Sequence, residues 1–303
     1  MNEFYAAEPS ACGSSIELKL LLERFGPYTG RYLAAYPDNW FDFVEKHYGT
    51  FGPVEQERIK LLLHRARNNA LILTRRGLPW ENSRTWQNNA IRLLGSKLPV
   101  LTGIIAANNV EPAPSVWPLS ELDLPPTAEE RIYGTAEEYV RVCRTLLSIS
   151  PELHFVDPYL DMTKQKNKKI INALFEALAG GKCMKATFWA RATSLSVGRD
   201  ISKPILDDLR RALDELCRNA RVRQGFVAEY IFVRDEDRKS KMHGRYLLSI
   251  KGGVRLDQGF ESLPSGRRVD VGPVGKALHD ELLSIFHEGK HDMEIVSQLK
   301  TIF

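Results

Sequence analysis

Over the first hundred positions, apolar residues recur at helical spacing. Ile16, Leu20 and the Leu21-Leu22 pair alternate with Glu17, Lys19, Glu23 and Arg24, which predicts a helix over 16–25 that Gly26-Pro27 stops. The same period predicts helices over 40–48, after Pro37-Asp38-Asn39, over 54–73 and over 83–94, with Gly77-Leu78-Pro79 between the last two. Residues 100–106 read as one strand or as the end of this region. The expectation is a mainly helical domain over 1–107. Prolines then cluster at Pro112, Pro114, Pro118, Pro125 and Pro126, which excludes regular helix and predicts an extended linker over 108–127.

From 128 onward the period alternates between helix and strand. Helices are expected over 128–149, 166–178, 203–219 and 274–286, with strands over 154–156, 184–190 and 226–233. Pro204 suits the first turn of its helix. The expected fold class is α+β or α/β, a helical N-terminal domain followed over 128–303 by a mixed β-sheet flanked by helices.

One stretch of this second half carries chemistry. His243-Gly244-Arg245 leads into the β-prone run Tyr246-Leu247-Leu248-Ser249-Ile250, then Gly252-Gly253 as a turn, a short strand over 254–256, and Asp257-Gln258-Gly259-Phe260. On a strand, residues two apart share a face, so His243 and Arg245 would address one spot. A protonatable imidazole beside a planar guanidinium makes a receptor for phosphate oxygens.

These residues resemble the phospholipase D superfamily, whose members carry His-x-Lys on a strand. They resemble more closely its divergent branch, in which a strand with His-x-Arg leads to a Gly-Gly turn and a Gly-Phe or Gly-Leu strand. That branch includes the C-terminal domain of proteins with microtubule-interacting-and-trafficking modules, and bacterial relatives. Leu153 to Asp161, a strand ending in Asp157-Pro158-Tyr159, is a second match, which such domains place at the same mouth. The resemblance covers the second half of the chain alone. It departs from the superfamily at Arg245, where Lys is usual, at Ile250, where an Asp is usual, and in lacking a Gly-Ser-x-Asn stretch. The chemistry it implies uses one His as nucleophile and a second as general acid, and this chain supplies one motif. A guanidinium holds phosphate but donates protons poorly, since its pKa lies above ~12.

Several other side chains are candidates for the same mouth. Trp189-Ala190-Arg191 ends a strand, so Arg191 is a second phosphate-binding candidate, equally readable as a solvated cap, with Trp189 in support. Lys241 shares the face of His243 if the strand starts that early, though the charge cluster over 234–241 reads more simply as solvated. Asp157 either orients the imidazole or screens the cations, or it just shapes the turn before Pro158. His279, His287 and His291, with no acidic or Cys partner at ligand spacing, read as surface residues. In the first domain Arg58, Lys60, Arg65, Arg67, Arg75, Arg76, Trp80, Arg84, Trp86, Asn88 and Asn89 could form a nucleic-acid surface, but ordinary solvated helix faces account for them better.

Composition limits the remaining choices. Cys12, Cys143, Cys183 and Cys217 are scattered, so buried free thiols are expected, with no disulfide framework, no structural zinc, no metal ligands and no cofactor. No apolar run reaches the ~18–20 residues of a transmembrane helix, and a basic signal-peptide start is lacking, which predicts a cytoplasmic protein. The net charge of +4 suits a polyanionic partner. The leading expectation is therefore a phosphate-backbone recognition or scaffold protein with nucleic acid as partner. The resemblance extends this to bacterial nucleic-acid conflict and antiviral defence. The alternative is a metal-independent phosphodiesterase or nuclease that pairs His243 of two copies in a homodimer, and a weaker one is phosphoinositide-headgroup binding. The helical domain would serve a protein partner.

Overall fold

The computed structural model describes residues 3–68, 71–74, 78–94, 101–107, 113–125, 127–194, 201–234 and 242–303. The chain divides into two compact units, Glu3–Ala128 and Glu129–Phe303. Both mix helix and sheet, with eight α-helices among the described residues.

The first unit is built on β1 (Glu3–Ala7), α1 (Ser15–Leu22), β2 (Arg31–Ala35), α2 (Trp40–Tyr48), α3 (Pro53–Asn68), β3 (Ile72–Thr74), α4 (Trp86–Leu94), β4 (Gly103–Ala106) and β5 (Val116–Pro118). Its strands form one parallel sheet in the order β3-β2-β1-β4-β5. The expected helices are present, but the mainly helical reading is corrected by this sheet. The reason is burial on both faces: all five residues of β2 and all four of β4 are buried, so their sequences carry no alternation to announce a strand. The proline-rich stretch is corrected too. Pro118 closes the edge strand β5, Leu122 is buried in the unit's core with Leu119 and Leu124 packed against it, and the buried Arg31 donates to the carbonyl of Pro125. The described part of the stretch, 113–125 and 127, thus belongs to the first unit, and the boundary falls after Ala128, while 108–112 and Pro126 lie outside the described residues.

The second unit opens on β6 (Glu130–Tyr133) and α5 (Ala136–Ile149), where a single helix was expected. Thr135 caps α5 by accepting from the Glu138 N–H. There follow β7 (Glu152–Val156), α6 (Gln165–Ala179), β8 (Lys185–Arg191), α7 (Lys203–Ala220), β9 (Val227–Arg234), β10 (Tyr246–Ser249), β11 (Gly252–Leu256), β12 (Arg268–Pro273), α8 (Lys276–Phe286) and β13 (Glu294–Ile302). The eight-stranded sheet runs β13-β9-β8-β7-β10-β11-β12-β6. Strands β7, β8 and β9 are parallel, joined through α6 and α7, and the remaining pairings are antiparallel.

Alternation along β7 separates two cores. Phe155 stacks with Phe188 at 4.8 Å and meets Phe175 of α6 and Phe260, on the face that α6 covers. Val156, Trp189, Ile231, Val233, Met242 and Leu248 pack with Leu282, Ile285 and Phe286 of α8 on the other. Gly252 and Gly253 belong to β11, paired with Ser249 and Leu248, and the turn is formed by Ile250 and Lys251. Glycine is needed at 253 because a Cβ there would press on Leu248 at 2.9 Å and Val274 at 3.0 Å.

Candidate phosphate-binding site

Register brings the second unit's candidates to one end of its sheet. Val156 pairs with Trp189 on one side and with Tyr246 on the other, and β10 runs antiparallel to β7. The C-terminal ends of β7 and β8 therefore lie beside the lead-in to β10, which places Asp157, Pro158 and Tyr159, then Arg191, then 242–245 around one crevice. Ends of parallel strands are where open α/β sheets gather ligand-binding groups.

Asp157 organises this crevice. Its Oδ1 accepts from the Tyr159 N–H at 2.9 Å, the turn-shaping role, and its Oδ2 accepts from the Phe260 N–H at 3.0 Å. Arg245 Nε lies 3.9 Å from Oδ1, so the same carboxylate also faces the guanidinium. Burial raises the Asp157 pKa above the ordinary carboxylate value, outweighing the two N–H bonds and Arg245 that lower it. Gly259, at φ +68°, completes the contact: a Cβ there would overlap Asp157 Oδ2 and sit 3.0 Å from Arg245 Cδ. The Gly259 and Phe260 carbonyls are held in turn by the Tyr139 hydroxyl at 2.8 Å and Asn167 Nδ2 at 2.9 Å.

Arg245 is thereby set in one position. Its Nη1 donates to the Asp257 carbonyl at 2.9 Å, its guanidinium lies 5.3 Å from the centre of the Tyr159 ring, and its side chain keeps 30% of its surface in solvent. Arg191 Nη2 donates to the Met242 carbonyl at 2.8 Å, and its backbone N–H donates to Pro158, which holds it against the residue preceding His243.

Two expectations change here. His243 is exposed and precedes β10, which starts at Tyr246, so strand alternation does not place it on the face of Arg245. The chain bends at Gly244, over which the Tyr246 ring packs, with Met242 buried on one side of the bend and His243 outside. Among the described residues, His243 makes no hydrogen bond or ion pair with Arg245, Arg191 or Asp157. Trp189 is 4% exposed under α8, packed on Phe286 and donating to His154 Nδ1 at 3.4 Å, so it supports the α8 core and not the crevice. Lys241 lies outside the described residues.

Comparison with known proteins adds no family to this picture. No family model and no curated protein matches the chain. Among solved structures it is similar to TrmBL2, an archaeal chromatin protein with a novel mode of DNA binding, at 11% identity over 86% of this chain and 70% of that one, with a TM-score of 0.30. A likeness at that level carries no argument about fold or function.

Of the remaining histidines, His287 is exposed as expected, while His279 departs from the surface reading. His279 is 1% exposed and its Nε2 lies 2.8 Å from the Ser249 carbonyl. His287, at the end of α8, meets His154 and Glu152 of β7, an acidic partner 135 positions away that no local spacing reveals. Burial lowers the His154 pKa to about 3, with His287 and Lys185 adding to the effect, so its imidazole is neutral. All four cysteines are free and buried.

Several basic residues of the first unit serve its own structure, while Lys60 and Arg65 are exposed on α3. Arg58 pairs with Glu55, Arg84 with Glu81, and Arg67 lies over the Phe41 ring. Trp80 donates to Asn82, Trp86 to the Tyr36 carbonyl, and buried Asn89 ties down Glu81. Arg75 and Arg76 lie outside the described residues. No helix among those described is long and apolar enough to cross a membrane.

Proposed function

We propose that this protein recognises the phosphate backbone of nucleic acid through a degenerate phospholipase D-like site on its second unit. The observation that carries the reading is the buried Asp157 carboxylate, which with Gly259 and the Asp257 carbonyl presets Arg245 at a strand-end crevice that Arg191 shares. A guanidinium fixed before the ligand arrives loses little freedom on binding, and its planar fork suits phosphate oxygens. Tyr159, 58% exposed beside Arg245, offers a ring face to a neighbouring base.

Binding is favoured over chemistry because, among the described residues, His243 makes no hydrogen bond with Arg245 or with a second imidazole. The alternative, a phosphodiesterase that pairs His243 of two copies, draws support from the exposure of His243, which leaves it open to a partner. The test is fluorescence anisotropy with labelled single- and double-stranded DNA and RNA across a salt series. Wild-type protein should bind with an affinity that falls as salt rises, and Arg245→Ala should bind more weakly with a slope smaller by about 0.9. Salt-insensitive binding, or unchanged binding by the variant, removes Arg245 from the interface.

A further inference from the structure

A second cluster lies on the α8 face of the same sheet and does not depend on the reading above. Glu152 and His154 stand two apart on β7, and His287 caps the end of α8. His154 Nε2 is 3.2 Å from His287 Nδ1 and 3.6 Å from Glu152 Oε1, while His287 Nδ1 is 3.7 Å from Glu152 Oε2. One ligand atom from each residue falls within 4.8 Å of the other two. A tetrahedral zinc with nitrogen and oxygen ligands at ~2.0–2.2 Å spaces those ligands roughly 3.3–3.5 Å apart. The two nitrogens stand close to that spacing, and each lies within 3.7 Å of a Glu152 oxygen, Oε1 for His154 and Oε2 for His287, so a small carboxylate rotation would bring one oxygen to both.

We propose that Glu152, His154 and His287 form a site for a divalent transition metal, zinc in the first instance. Two imidazoles and one carboxylate suit zinc, and three protein ligands leave a fourth position for water. His287 keeps 34% of its side chain exposed, which opens that position to solvent, whereas His154 is buried. The surroundings orient the carboxylate: Lys185 Nζ holds Glu152 Oε1 at 2.9 Å and is itself held by Glu229 at 3.5 Å, and Oε2 is the oxygen on the His287 side. The metal would lie at the C-terminal end of α8, where the helix dipole favours a cation, and would pin that end to β7.

Loading changes one tautomer. The Trp189 indole N–H can only donate, so His154 Nδ1 accepts from it at 3.4 Å and the imidazole proton sits on Nε2, facing His287 Nδ1. Metal coordination by Nε2 requires that proton to move to Nδ1, with no net loss from the ring. The long Trp189 bond then gives way. Trp189 therefore reports on the site, and it is the one tryptophan of residues 129–303.

The test uses the full chain, stripped with chelator and dialysed, then titrated with Zn²⁺ by calorimetry and with Co²⁺ by visible absorption. A 5-fluorotryptophan sample adds the ¹⁹F resonance of Trp189, assigned with Trp189→Phe. The expected result is saturable one-to-one binding that shifts the Trp189 resonance. His287→Ala, at a partly exposed helix end, and Glu152→Gln should each weaken that binding by at least about 10-fold. Wild-type protein without saturable binding overturns the proposal. Binding that neither variant weakens, or that leaves Trp189 unmoved, overturns it equally.

Discussion

Removing the Asp157 carboxylate should unseat both the loop that carries Gly259 and the guanidinium that faces it. In Asp157→Ala the N–H groups of Tyr159 and Phe260 lose their acceptor, and Phe260 is fully buried. An orphaned buried donor costs ~1–3 kcal/mol, so the loss at Phe260, with a smaller one at the part-buried Tyr159 N–H, comes to about 2 kcal/mol once the released cost of burying a carboxylate is set against it. Asp157→Asn keeps one acceptor oxygen but turns an NH2 toward the other donor, which costs about 1–2 kcal/mol. The predicted order of stability is wild type, Asn, Ala. Because burial raises the folded pKa of Asp157 above its unfolded value, its titration favours the fold most below ~3.9 and loses that contribution as pH rises through the folded pKa. The gap between wild type and Asn should accordingly be wider near pH 4 than at pH 7. Urea unfolding followed at the ¹⁹F resonance of Trp189 reads this unit alone, and about 2 kcal/mol moves the midpoint by roughly 0.7–2 M. An Ala variant within 0.5 kcal/mol of wild type, on the order of surface substitutions, or one more stable than Asn, would refute the assignment of Asp157 as the acceptor that organises the crevice.

Other outcomes follow from the same geometry. Gly259→Ala places a Cβ against Asp157 at a positive φ and should cost about 2 kcal/mol or more, read by the same unfolding, while also weakening nucleic-acid binding. His154 is held neutral with a folded pKa of about 3, so its contribution is complete above the unfolded value near 6.5 and is lost as pH falls toward 3, by up to ~1.4 kcal/mol per pH unit. Replacing it in His154→Leu should flatten the loss of stability between pH 7 and pH 5, and an unchanged slope counts against the assignment. Burial pushes the Cys12, Cys143 and Cys217 thiols up to about 12 and Cys183 to about 11, so none should react with a disulfide reagent at pH 8 until the chain is unfolded.

Local pattern revealed what local forces decide. Helix α2 spans 40–48 as its sequence predicts, and the crossover helices α6 and α7 with the strands β7, β8 and β9 follow their periods closely. Phe4 to Ala7 and Tyr32 to Ala35 gave no strand signal, because a parallel strand covered on both faces needs no alternation, and the short apolar run is equally a helix fragment. Of the candidate site, Arg245, Arg191 and Asp157 were readable as strand-end residues. Their gathering at one mouth was expected from strand ends and the resemblance, but the contacts among them were not legible, since they depend on β10 lying next to β7, a pairing set by the tertiary fold. The bend at Gly244, between His243 and Arg245, lies likewise against the Tyr246 ring, which no local pattern reveals. The meeting of His154 with His287 joins residues 133 apart, beyond any motif spacing.

The central claim, binding by a preset Arg245 without phosphodiester cleavage, is tested most directly with labelled DNA and RNA in excess EDTA. Wild type, Arg245→Ala and His243→Asn would each be read for bound complex on native gels and for product on denaturing gels. The account predicts a complex with intact nucleic acid in the wild type, a weakened complex in Arg245→Ala and a nearly unchanged one in His243→Asn. Metal-independent cleavage that disappears in His243→Asn would contradict it and establish His243 as the nucleophile of a phosphodiesterase.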